Sequence, residues 1–247
     1  MPDFQLKIAG QVGFVSALFG STPVFLENYV TEDPADFSVT VTPEDLVREQ
    51  LMRNLEAAEE GLKPRKSTDP FLERLAILRK FGEKLMEYDT LLVHGSAVAV
   101  DGVGYLFTAP CGMGKSTHTR LWRQVFGDRA IMINDDKPFI RMTDAGVTVC
   151  GSPWSGKHGL DTNAEVPLGG ICLLERGRVN LIHRIIPEET ETVIRELRWF
   201  MEPELVPLFD SLAEKLLCRV PVWHMACNMD PEAARISHSV MSGEGSP

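Results

Sequence analysis

Residues 104–122, GYLFTAPCGMGKSTHTRLW, run from an apolar strand pattern through a glycine loop straight into a helical pattern. This succession constrains the fold more than anything else in the chain. It is the context in which loop N–H groups and the positive end of the following helix surround an anion. With further strand patterns downstream, the expected architecture is an α/β core of mixed sheet with flanking helices. At 247 residues and 44% hydrophobic composition, the chain is long enough to bury one sizeable core of this kind.

The loop approaches the pattern G-x-x-x-x-G-K-[ST] but carries Ala109 at the first glycine position. That position mainly ends the strand, where a small residue suffices. Gly112 and Gly114 stand where the backbone must come close or turn left-handed. Cys111, Gly112, Met113, Gly114, Lys115, Ser116 and Thr117 are therefore the expected nucleotide-binding residues. Lys115 has the reach for the β- and γ-phosphates of ATP, and the Ser116 hydroxyl is an expected ligand of Mg²⁺. The competing reading is a glycine turn with a surface lysine. Cys111 lies among the inward-pointing N–H groups, which favours its thiolate. The alternative is a thiol tucked under the loop and inert.

Residues 131–140, IMINDDKPFI, form an apolar strand pattern that ends in Asp135 and Asp136. Neighbouring side chains of an extended chain point to opposite faces, so one carboxylate is expected to meet a metal and the other an acceptor hydroxyl. The alternative is that Asp-Asp-Lys-Pro is surface turn chemistry.

Ahead of these motifs, residues 4–41 carry the short runs FQLKIAG, PVFLENYV and FSVTV, expected to form a small antiparallel sheet. Thr42-Pro43 and Asp69-Pro70 announce helices starting near 43 and 70, joined by the polar residues 63–69. From Leu91 onward, LLVHG, AVAVD and GYLFTA read as strands with a DGVG hairpin between the last two. Beyond the loop helix, AIMIND, FIRM, VTVCG, GGICLLE, VNLIHRI and VPVWHMAC are further strands, TDAG is a hairpin, residues 187–217 are helical, and Asp230-Pro231 caps a last helix. The expected organisation is a small sheet and two helices in residues 1–88 packed on a core in residues 89–242, with a disordered tail in 243–247.

His94-Gly95 on a strand, the DGVG hairpin, TAPCGMGKST, and NDD one helix later resemble the catalytic core of HPr kinase/phosphorylase. More distantly they are similar to the phosphate loop of phosphoenolpyruvate carboxykinase. The resemblance covers about residues 91–142. It implies a phosphoenolpyruvate carboxykinase/HPr kinase-like P-loop core, with His94 near the transferred phosphate, Asp135 as general base and Asp136 helping to hold the metal. Taken alone, His94 is a satisfied strand-end histidine. Downstream the chain departs from that family: neither its glycine-rich segment for docking a phosphocarrier protein nor its large N-terminal domain is legible. The segment GSPWSGKHGLDTNAEVPLGGICLLERG is instead similar to a group of kinase-like proteins of the same superfamily.

Within that segment, Gly151, Pro153, Gly156 and Gly159 make a loop on which Trp154, Lys157, His158 and Asn163 offer a stacking face, a charge and hydrogen-bond donors. It reads equally as an acceptor or γ-phosphate loop and as a turn anchored by a buried Trp154 with Lys157 solvated. His224, on an apolar strand, is expected in the core, and Arg176 and Arg178 in solvent.

The expected function is ATP-dependent transfer of a γ-phosphate to a hydroxyl. The acceptor is a small metabolite or a serine of a peptide or small protein, and the metabolite is favoured because no basic or apolar docking surface is legible. The rivals are a carboxykinase-type enzyme and a nucleotide-gated binding protein without transfer. A pure switch needs one metal-binding carboxylate and no free base. A net charge of −10 argues against nucleic acid as a partner. The longest apolar stretch is interrupted by His94 and Asp101, so no membrane span is expected, and a cytoplasmic location follows from the absence of a leader pattern. Five scattered cysteines that form neither a C-x-x-C pair nor an even disulfide set fit a reducing compartment and argue against structural zinc. Self-association is left open.

Overall fold

The computed structural model describes residues 2–59, 61, 63–156, 158–199 and 201–244. The chain divides into two compact units, residues 1–84 and 85–247.

In the first unit, β1 (Asp3–Ile8) and β2 (Gln11–Ser16) form an antiparallel hairpin through Ala9 and Gly10, both at positive φ (50° and 80°). Two left-handed residues make the turn whose twist matches that of the strands. The strand expected over PVFLENYV is largely replaced by α1 (Ser21–Phe25) and a 3-10 turn at Glu27–Tyr29, leaving only β3 (Val30–Thr31) against β1. The cause is the buried Glu73 carboxylate, which accepts the Thr22 hydroxyl and the Leu18 and Phe19 N–H groups and bends the chain there. β4 (Phe37–Thr40) lies parallel to β2, so the sheet, in the order β3-β1-β2-β4, is mixed rather than antiparallel throughout. Helices α2 (Pro43–Glu59) and α3 (Asp69–Leu85) follow. The Arg79 guanidinium of α3 joins them, meeting Asp45 and Glu49 of α2 at 2.7 Å each.

The second unit opens with β5 (Thr90–Leu92), β6 (Ser96–Val100), β7 (Val103–Thr108) and α4 (Lys115–Phe126). There follow β8 (Ala130–Asn134), β9 (Phe139–Thr143), β10 (Gly146–Cys150), β11 (Glu165–Arg176), β12 (Leu181–Arg184), α5 (Thr190–Leu197), α6 (Val206–Leu217), β13 (Val222–Cys227) and α7 (Pro231–Ser242). The sheet order is β5-β9-β10-β11-β7-β6-β8, with β13 between β11 and β12. β7, β11 and β13 are mutually parallel and the other pairings antiparallel. The long β11 makes the branch: its first residues pair with β10, and further along Ile171 faces Leu106 of β7 on one side and Val222 of β13 on the other.

Successive residues of the central strands serve opposite faces. Ala97, Leu106, Ile171 and Leu173 pack with Leu197 of α5 and Phe209 and Leu216 of α6. Val98, Phe107, Cys172 and Leu174 pack with Leu121 and Trp122 of α4 and Ala233 of α7. Burial on both faces is why these strands read as unbroken apolar runs.

The helix expected across 187–217 is interrupted between Leu197 and Val206. The last carbonyls of α5 are taken by other elements: Leu197 O accepts the His94 N–H at 2.9 Å, and Glu196 O accepts the Thr108 hydroxyl at 2.8 Å. Pro203 and Pro207 then each suit only the first turn of a helix. The C-terminal end of α5 thus lies against the ends of β5 and β7. Of the expected tail, Gly243 closes α7 at φ 75°, and residues 245–247 lie outside the described residues.

Candidate functional site

Residues 109–114 connect β7 to α4. Ala109 is fully buried at the strand end and has no positive φ, so the backbone there does not require glycine. Gly112 and Gly114 have φ of 74° and 116°, with open space where a Cβ would stand, so it is the left-handed backbone that requires glycine. Gly114 caps α4 without a side-chain bond, and Gly114, Lys115, Ser116 and Thr117 line a cavity of about 360 Å³ together with Cys111 and Gly112. Met113 does not line it and instead lines a neighbouring cavity with His118, Leu121 and Arg176. Lys115 folds back, its Nζ donating to Ala109 O at 2.8 Å. Burial lowers its pKa, assisted by the Lys137 charge and opposed by Cys111, Asp136 and Glu196.

Asp135 and Asp136 line the same cavity. The expectation that they point to opposite faces fails because β8 ends one residue earlier, at Asn134. There the Asn134 side chain accepts the N–H groups of Asp136 and Lys137 at 2.8 and 2.7 Å and donates to Ser152 O at 2.8 Å, so the chain bends instead of extending. Environment, not facing, separates the two carboxylates. Asp135 is buried, and its Oδ1 accepts the Ser96 hydroxyl at 2.8 Å; Ser96 Oγ in turn lies 2.8 Å from Thr119 Oγ1 of α4. Asp136 is about a third exposed, with Lys137 Nζ at 3.3 Å and His94 Nε2 at 3.8 Å. The Gly95 N–H donates to Asp136 O at 3.0 Å and fixes that neighbourhood. Burial, with the Lys137 and Lys115 charges, pushes the His94 pKa down to about 2 and keeps the imidazole neutral.

The described residues of the segment 151–163 run beside this pair. Gly151 runs so near Thr162 that a Cβ would fall 1.9 Å from its carbonyl oxygen, and the segment returns along β8 through Thr162 N–H to Ile133 O at 3.1 Å and Asp135 N–H to Leu160 O at 3.1 Å. Gly156 passes Asp136, with a Cβ position 3.3 Å from that of the aspartate. His158 is exposed and lines the cavity with Gly156. Of the two readings of Trp154, the structure matches the buried side chain and not the stacking face. Asn163 is exposed and does not line the cavity, and Lys157 lies outside the described residues.

Four contributors were not foreseen from the sequence. Ser96 and Thr119 carried no signal, since a serine and a threonine 23 residues apart become partners only when α4 packs on the sheet. Asn134 carried one, because asparagine before Asp-Asp is suited to a side-chain-capped turn. Arg176, expected in solvent, is exposed yet donates to Gly112 O at 2.7 Å and so ties the glycine loop to the end of β11.

No helix among the described residues is long and apolar enough to cross a membrane. No protein-family model matches the chain, and no curated protein matches it. Among solved structures, the chain is similar to the Hpr(Ser) kinase/phosphatase from Coxiella burnetii, at 10% identity and a TM-score of 0.35, over 63% of this chain and 95% of that one.

Proposed function

We propose that this chain is an ATP-dependent phosphotransferase that moves a γ-phosphate to a hydroxyl group. The observation that carries the reading is the convergence of Gly112, Lys115, Ser116, His94, Asp135 and Asp136 on one cavity. The resemblance of their motifs to the HPr kinase/phosphorylase core supports it.

In this reading the triphosphate lies in the glycine loop against the first turn of α4, where backbone N–H groups and the helix dipole favour anions. Lys115 exchanges the Ala109 carbonyl for phosphate oxygens. Ser116 and Asp136 are the oxygen donors that a hard cation such as Mg²⁺ takes, and the ion when bound neutralises phosphate charge. The acceptor oxygen attacks the γ-phosphorus, the bond from that phosphorus to the bridging oxygen breaks to release ADP, and the acceptor proton passes to Asp135. His94, being neutral, hydrogen-bonds the transferring group without adding charge. His158, with Lys157 beside it in sequence, faces the acceptor. A small hydroxyl-bearing metabolite is the favoured acceptor, a peptide serine the alternative.

The test is incubation of the full chain with γ-labelled ATP, Mg²⁺ and a metabolite pool. Label is expected on a hydroxyl product with the wild-type chain and is absent with Lys115→Ala. A wild-type rate in Lys115→Ala removes the loop from the chemistry. Nucleotide binding without any labelled product favours the nucleotide-gated binding role instead.

A further inference from the structure

A second cluster of metal-ligating groups stands on the edge of the same sheet and takes no part in the phosphoryl chemistry. His183 of β12 and His224 of β13 are directly opposite each other, so both imidazoles rise from one face, with ring centroids 5.3 Å apart. After β12 the chain enters a 3-10 turn at Pro187–Glu189 that folds Glu189 back over the pair. The Glu189 carboxylate lies 2.5 Å from His224 Nδ1 and 3.3 Å from His183 Nε2. On β11, Leu173 pairs with His224 and Glu175 with Ala226, so Glu175 lies two residues along on the same face, 3.5 Å from His224 Nε2. His224 is therefore not the core histidine its apolar strand suggests: its side chain is 18% exposed and bears a carboxylate on each ring nitrogen.

We propose that His183, His224 and Glu189 form a binding site for a transition-metal dication, with Zn²⁺ the ion best suited. One ligand atom from each residue lies within 4.8 Å of the others, a spacing that suits a small ion with bonds of about 2.0–2.2 Å once the 2.5 Å His224–Glu189 contact opens to admit it. Two imidazoles and one carboxylate select such an ion over Mg²⁺ or Ca²⁺, which take oxygen ligands. With His224 bound through Nδ1, its Nε2–H points to Glu175, an outer carboxylate that holds the ring in the ligating tautomer. Three protein ligands leave a fourth position for water, on the side where His183 is 54% exposed. An ion there ties β12, β13 and the start of α5 together.

The site is tested by titrating the full chain, without nucleotide, with Zn²⁺ against a chromophoric chelator, and with Co²⁺ to read nitrogen and oxygen ligation from its visible bands. One ion per chain is expected, with affinity reduced about tenfold or more in His183→Ala and in His224→Gln, and unaltered in Asp136→Asn at the nucleotide cavity. The exposed His183 makes His183→Ala safe for the fold, which circular dichroism checks. Wild-type protein that binds no Zn²⁺, binding that disappears with Asp136→Asn, or affinity that survives His183→Ala overturns the proposal.

Discussion

The Ser96 hydroxyl, at the first residue of β6, donates to Asp135 Oδ1 at 2.8 Å and touches Thr119 Oγ1 of α4 at the same distance. One small side chain thereby holds the carboxylate beyond β8 in register with the helix that follows the glycine loop. Ser96→Ala leaves the buried Asp135 short of a donor, which is expected to cost about 1–3 kcal/mol of stability. Displacing the carboxylate is expected to slow transfer about ten- to a hundredfold with little change in nucleotide affinity. Denaturant unfolding and steady-state kinetics check both, and a variant with wild-type values in both removes Ser96 from this role.

The two carboxylates are expected to separate by function as they do by environment. Asp135→Asn keeps the shape of the buried side chain but removes the proton acceptor, so transfer falls by about 10²–10⁴ while MgATP still binds. Asp136→Asn, at the more open position beside His94 and Lys137, raises the Mg²⁺ concentration needed for half-maximal rate. Nucleotide binding and Mg²⁺ dependence of the rate, measured on both variants, decide the matter. The reverse pattern exchanges the roles, and equal, mild losses return the pair to turn chemistry.

His94 sets a pH dependence whose sign follows from its shift. An unfolded-chain imidazole titrates near 6.5 and the folded one near 2, so between these values the unfolded state holds the extra proton. The contribution to stability is complete above pH 6.5 and is lost as the pH falls toward 2. His94→Asn is expected to flatten the acid side of the stability curve, leaving the slope from His118, which burial pushes down to about 4. Imidazole NMR resonances of His94 should stay constant from about pH 8 to about pH 5. A midpoint within that span contradicts a neutral His94.

Cys111 and Cys218 are the exposed cysteines, while Cys150 and Cys172 are buried. Because Cys111 lines the nucleotide cavity and Cys218 lies just past α6, brief iodoacetamide treatment is expected to label both, with MgATP protecting Cys111 alone. Alkylation at Cys111 should inactivate by filling the cavity, and Cys111→Ser should stay active and resist the reagent. Peptide mapping with and without nucleotide reads the outcome. Labelling of Cys111 that ignores MgATP separates the thiol from the phosphate position.

What the sequence determined by itself was local. The path from β7 through Gly112 and Gly114 into α4 needs only neighbouring residues: an apolar strand, glycines free to take positive φ and a helix-forming run, all within 24 residues from Val103 to Phe126. The strand that leads to Asp135 and Asp136 was legible for the same reason, though it stops at Asn134, and His94, Lys115 and Ser116 share a cavity with the two carboxylates. Other features were decided by which strands pair and what packs across them. Ser96 reaches Asp135 over 39 positions, and Arg176 reaches Gly112 over 64. The His94 N–H and Thr108 hydroxyl end α5 far from either in sequence, Trp154 turns inward, and β4 lies parallel to β2. His183 and His224 sit opposite each other only because of the register between β12 and β13. Backbone propensity and side-chain period act over a turn or a strand, whereas register and packing are settled by burial of the whole sheet. A one-residue shift of β12 against β13 would turn the side chains of the shifted strand to the other face and separate the two histidines.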